Sequence, residues 1–227
     1  MIRTAVSLTY LLAVFTAGSI ITGHAAEDPP IVPGTDPGGA AIALITDGID
    51  YTDLEIAKRL ARDGEGELIA FDFIDGDVHP FAAADVSTGT NAAKMLFAAY
   101  PNARLVVARV DRNQAASIAK AMLFVAKTPA KVAVITDQRL SEDHLAIVKK
   151  AAYRTRKTAF VVPTNVSLKM PRNVFIVSPP SNALDPLADN TQALMEKAAQ
   201  LSCLIENGVA VSNLAKQPNA KIASCQP

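Results

Sequence analysis

Six short apolar runs, rich in β-branched side chains, alternate along the chain with longer stretches whose apolar positions recur every three or four residues. The runs cover residues 41–45, 68–73, 105–110, 132–135, 159–162 and 174–177. Most are almost wholly apolar, as strands are when a sheet is covered on both faces. Helical periodicity covers 52–62, 90–99, 114–126, 141–154 and 191–205. Thr52 and Glu55 have the spacing of a capping box, which places a helix start there. Strand and helix in alternation predict an α/β fold: a doubly wound, mainly parallel sheet of about six strands with helices on both faces. No internal repeat interrupts the pattern.

The first 40 residues do not join it. Arg3 is followed by an apolar stretch from Ala5 to Ile21, and Gly23-His24-Ala25 supplies small residues at the positions a signal peptidase reads. Residues 1–25 are therefore expected to be a signal peptide. The apolar stretch is broken by Ser7, Thr9, Thr16, Gly18 and Ser19, which makes it a poor bilayer span. Residues 26–40 form a Pro/Gly-rich leader unable to hold a helix or a central strand. One domain, 41–227, is expected to follow. The expected location is secreted or periplasmic, with no membrane contact after cleavage.

Composition narrows the function classes. The 227 residues are 50% hydrophobic and 5% aromatic, and 22 Lys+Arg balance 22 Asp+Glu. That excludes disorder and a strongly basic nucleic-acid binder, so no nucleic-acid partner is expected. Export changes the reading of the two cysteines. Cys203 and Cys225 are expected to pair in an oxidising compartment, and closing that loop would stabilise by roughly 3 kcal/mol.

In a parallel sheet, function sits at the carboxyl ends of the strands. Candidates there are Thr46 and Asp47 after the first run, Asp72, Asp75 and Asp77 after the second, Thr136 and Asp137 after the fourth, and Thr164 and Asn165 after the fifth. The three clustered acids are weak candidates for Ca²⁺ or Mg²⁺, although they lack the EF-hand order. No Gly-rich phosphate loop opens a helix, and no cofactor is expected. His79 lies in a turn and His144 in a first helical turn, and Ser87, Ser178 and Ser181 are loop serines. Nothing in the sequence gathers a nucleophile, a base and an acid.

Several segments, in order, resemble the subtilisin-like serine peptidases. IALITDGIDYTDLEI is similar to the strand and turn carrying that family's catalytic Asp, and FDFIDGDVHP resembles the stretch after it. Ser87-Thr88-Gly89-Thr90-Asn91 stands where the family has Gly-His-Gly-Thr-His opening a helix. YPNARLVVARV is similar to the strand leading to the substrate cleft, and ASIAKAMLFVAKTPAKVAVIT to the next helix and strand. FVVPTN resembles the strand ending in the oxyanion-hole Asn, and PRNVFIV the strand beyond. The resemblance implies a degenerate, shortened subtilisin-like fold in which Thr46 holds the family's Asp position, Thr88 its His position and Gln192 its Ser position. Asn165 keeps the oxyanion-hole position. Asp47 is an acid displaced by one residue, and a one-residue slip at a strand end turns a side chain away.

Two readings follow. One is an exported homologue without peptidase chemistry, a binding or scaffold pseudoenzyme whose partner is an extended peptide or protein held as an added strand. The other is a hydrolase, either a divergent serine peptidase using Asp47 or a metal-assisted enzyme using Asp72, Asp75 and Asp77. A purely structural accessory role is the remainder.

Overall fold

The computed structural model describes residues 28–83, 85, 87–136, 140–164, 166, 168–178 and 186–217. Six strands make one sheet: β1 (Ala40–Thr46), β2 (Ala70–Asp72), β3 (Ala103–Arg109), β4 (Val132–Ile135), β5 (Ala159–Pro163) and β6 (Val174–Val177). Their order is β2-β3-β1-β4-β5-β6 and every pairing is parallel. β1 is central, pairing over its full length with β3, so residues after it emerge mid-sheet.

Side-chain alternation divides the core into two layers. Ile42 and Leu44 of β1 face one cluster, filled by Ala92, Ala93 and Leu96 of α2 (Thr88–Ala99) and by Leu194, Met195 and Ala198 of α5 (Pro186–Glu206). Ala43 and Ile45 face the other, filled by Ile118 and Met122 of α3 (Ala115–Val125) and by Leu145 and Val148 of α4 (Glu142–Arg154). Both faces are therefore covered by helices, which is why the strands carry apolar residues at successive positions.

Two helices depart from the sequence reading. The expected helix 52–62 is only α1 (Leu54–Ala57), capped by Asp53, whose carboxylate accepts the Glu55 N–H at 2.9 Å. Thr52 does not cap it, because its hydroxyl donates to Asp50 instead. Beyond α1 the backbone turns to the sheet: Leu105 N–H donates to Arg59 O at 2.7 Å and Ala61 N–H to Leu105 O at 2.8 Å. Pairing with β3 thus overrides local helical propensity. At the other end α5 begins at Pro186, five residues before the expected 191, and a short α6 (Val211–Leu214) buries Leu214.

The described part of the Pro/Gly-rich leader is docked on the domain. Tyr51 Oη donates to Pro29 O at 2.7 Å. Arg62, 6% exposed, donates to Val32 O and Gly66 O, both at 2.7 Å, and its backbone N–H donates to Asp36. Burial pushes the Asp36 carboxyl up, but the N–H groups of Arg62 and Gly38 and the Arg104 guanidinium outweigh it and hold it below its ordinary value. Arg62→Ala should remove this clamp and strand two carbonyls. It should cost about 2–4 kcal/mol in urea unfolding and speed proteolysis within residues 28–40; an unchanged midpoint and digest would contradict the clamp.

Candidate functional site

The carboxyl end of β1 carries a densely bonded polar cluster. Strand alternation points Thr46 toward the α2 layer, where it is 1% exposed. Asp47 follows the last strand residue, and Gly48 turns the chain there with φ +118°, a conformation that favours glycine. That turn breaks the two-residue period, the re-registering that a displaced acid needs in order to face the Thr88 position. Thr88 Oγ1 donates to Asp47 Oδ1 at 3.0 Å, Thr46 Oγ1 donates to the same oxygen at 3.1 Å, and Gly89 N–H reaches it at 3.3 Å. Arg112 Nη2 binds Asp47 Oδ2 at 2.8 Å.

Helix α2 brings Thr88 to this point for a local reason. Ser87 is its N-cap, accepting the Thr90 N–H at 3.2 Å, while its own hydroxyl donates to Gly48 O. Thr90 Oγ1 in turn accepts the Asp50 N–H at 2.8 Å. The first turn of α2 is thus stitched to the chain segment that leaves β1. Ser87 serves as this cap and not as a nucleophile.

The second strand end holds the acids considered for a metal. Asp72 is fully buried; one carboxylate oxygen accepts the N–H groups of Ile74 (2.6 Å) and Asp75 (3.1 Å), and the other accepts Arg109 Nη1 at 2.6 Å. Asp75 meets the same nitrogen at 2.7 Å. Burial pulls the Arg109 pKa down, but its bonds to and the charges of Asp72 and Asp75 hold it above the ordinary value. Asp77 turns elsewhere, accepting His79 N–H at 2.8 Å, with His79 Nδ1 3.7 Å away. Among the described residues no group of three His, Cys, Asp or Glu is placed to hold a metal ion. Arg109 already places positive charge where a cation would bridge Asp72 and Asp75.

Arg109 and Arg112 were missed in the sequence reading, yet they organise the site. Arg109 Nε also donates to Asp47 O at 3.3 Å, linking the ends of β1 and β2. The available signal was positional: two arginines three apart where β3 ends, beside a β1 end rich in acids.

Other candidates lie apart from the cluster. Gln192 is exposed in the second turn of α5, and its Nε2 donates to Glu196 at 2.9 Å. Because α5 begins at Pro186, Gln192 does not open the helix, and its backbone N–H falls among those bonded within it. His144 Nδ1 lies 2.6 Å from Ser141 Oγ, but Ser141 is the N-cap of α4 and His144 Nε2 is buried with no hydrogen-bond partner. Among the described residues no acid is bonded to that imidazole, and Ser141 and His144 form a capping pair at the start of α4. Thr136 is buried, with its Oγ1 3.4 Å from Ile45 O, and Thr164 Oγ1 accepts the Val166 N–H. Ser178 Oγ donates to Thr164 O at 3.0 Å. Cys203 is buried on α5 and is not a free thiol. Asn165, Asp137, Ser181, Cys225 and residues 1–27 lie outside the described residues.

No family model matches the sequence, and no curated protein matches it. Solved structures do. A cold adapted subtilisin-like serine proteinase aligns over 83% of this chain and 84% of its own, at 16% identity and TM-score 0.46. The PatG macrocyclase in complex with peptide aligns over 80% and 82%, at 11% identity and TM-score 0.48. A lanthipeptide protease aligns over 56% of this chain at 19% identity and TM-score 0.42, with this chain spanning 40% of its length. These are likenesses of fold, at low identity.

The geometry also fixes why Gly89 is a glycine. A Cβ there would sit 2.2 Å from Gly48 O and 2.5 Å from Thr46 Oγ1. Alanine would gain about 1 kcal/mol of helix propensity but force apart the β1–α2 seam, at a cost of about 1–3 kcal/mol or more. Gly89→Ala should therefore lower the urea midpoint, whereas a stabilised variant would show that the seam yields.

Proposed function

We propose that the chain is an exported subtilisin-like peptidase homologue that has no peptidase chemistry and serves as a peptide- or protein-binding scaffold. The observation that carries this reading is the state of the Asp47 carboxylate. At the position that the sequence resemblance gives to the general base stands Thr88, whose hydroxyl is a donor to Asp47, and the second oxygen of that acid is held by Arg112. A hydroxyl cannot accept and return a proton near neutral pH as an imidazole does. His79 and His144 are engaged elsewhere.

The absence of a nucleophile at Gln192 supports the same reading. A Gln amide is not nucleophilic, and its place inside α5 deprives it of the free helix-end N–H groups that would polarise a carbonyl. Among the described residues β2 and β6 are the edges of the sheet, and an extended segment adding to an edge by backbone hydrogen bonds is the binding mode this reading entails. Arg109, paired with Asp72 and Asp75, supports placing the metal-assisted form of the hydrolase alternative second.

Export and a Cys203–Cys225 bridge belong to this proposal. Among the described residues no helix is long and apolar enough to cross a membrane. Intact-mass measurement of protein recovered from the exported fraction tests the whole reading. It should begin at Ala26, take up no fluorophosphonate, and accept alkylating agent only after reduction. The Thr88→His/Gln192→Ser double variant should stay equally unreactive. A probe adduct on wild type would overturn the pseudoenzyme reading, and alkylation without reduction would overturn the bridge.

A further inference from the structure

Charge is balanced over the whole chain but not along it. Residues 144–184 carry seven Lys+Arg and no Asp or Glu. Three of the seven, Arg156, Lys169 and Arg172, line a cavity of about 410 Å³ together with Tyr153, Met170 and Pro171. The cavity lies beside the amino ends of β5 and β6, at the opposite end of the sheet from Asp47. No acid lines it among the described residues. Among the described residues none of its three cations makes an ion pair; Arg156 Nε donates to Tyr153 O at 3.3 Å.

The wall is built rather than incidental. Asn173, 5% exposed, turns its Nδ2 onto the carbonyls of Ala152 (3.2 Å), Thr155 (3.2 Å) and Thr158 (3.0 Å). It thereby satisfies oxygens at the end of α4 that would otherwise oppose an anion. Phe160 N–H donates to Asn173 O and Val174 N–H to Pro171 O, fixing the turn that carries Lys169 and Arg172 to the sheet. Met170 packs against the core layer containing Phe160. Half-exposed Tyr153, with partly buried Met170 and buried Pro171, provides apolar wall next to the three cations.

We propose that this cavity binds a small organic anion, a carboxylate or phosphate monoester carried on an apolar or aromatic group. Its volume lies in the range of small-molecule sites, and the pairing of apolar wall with convergent cations is what such sites use to fix orientation. The concave, partly apolar shape favours this class over an extended polyanion, which would need a basic stripe alone. The site is independent of the peptidase positions, so its fate does not depend on the reading of Thr88 or Gln192.

Calorimetric titration with phenyl phosphate, benzoate and inorganic phosphate tests it. Phenyl phosphate or benzoate should bind, the tighter one naming the headgroup, and inorganic phosphate should bind about tenfold more weakly for want of the apolar contact. Lys169→Ala/Arg172→Ala should weaken the organic anion at least about tenfold, with the thermal midpoint retained. Lys150→Ala, which removes an exposed cation of the same stretch that does not line the cavity, should leave it within about twofold. Lack of binding by both organic anions, equal binding of inorganic phosphate, or an equal loss in Lys150→Ala would overturn the proposal.

Discussion

The carboxylate of Asp47 is the interaction on which the rest of the candidate site depends. It stands at the end of the central strand and gathers hydroxyls from Thr46 and Thr88, the Gly89 N–H and the Arg112 guanidinium. An ion pair that is partly exposed contributes little by itself. Here the acid is also hydrogen-bonded on both oxygens, so removing any one donor perturbs a network rather than a pair. Because β1 sits between β3 and β4, the same acid sets where the start of α2 lies over the middle of the sheet.

That arrangement ties the acids at this end of the sheet to their own chain. Asp47 faces donors supplied by Thr46, Thr88, Gly89 and Arg112, and Arg109 does the same for Asp72 and Asp75. The two arginines that close β3 neutralise the acids that follow β1 and β2. The polar end of the sheet is consequently a set of satisfied internal bonds, while the opposite end presents cations with no acidic partner among the described residues.

Much of the architecture was legible because hydrophobic periodicity reports burial directly. β4, β6, α3 and α4 fall close to their expected bounds: α3 and α4 bury a face at helical spacing, β4 is buried at every position, and the partly buried β6 is a short apolar run. The failures have a common cause in long-range contacts. Residues 58–62 have helical spacing but pair with Leu105, and a single strand partner outweighs the few tenths of a kcal/mol per residue that propensity supplies. The direction of Asp47 was illegible because it depends on a turn at Gly48, where the period of two ends. Arg109 and Arg112 were overlooked because a basic residue at a strand end has no spacing signature; only the fold reveals which acids lie opposite.

A double-mutant cycle measures the engagement of Asp47 by Thr88 directly. Urea unfolding of wild type, Asp47→Asn, Thr88→Val and the double variant gives the coupling between the two side chains. Engagement of an ionised acceptor by a hydroxyl at 3.0 Å predicts a coupling of about 1–2 kcal/mol. Additive single effects, with a coupling within about 0.3 kcal/mol of zero, would contradict it.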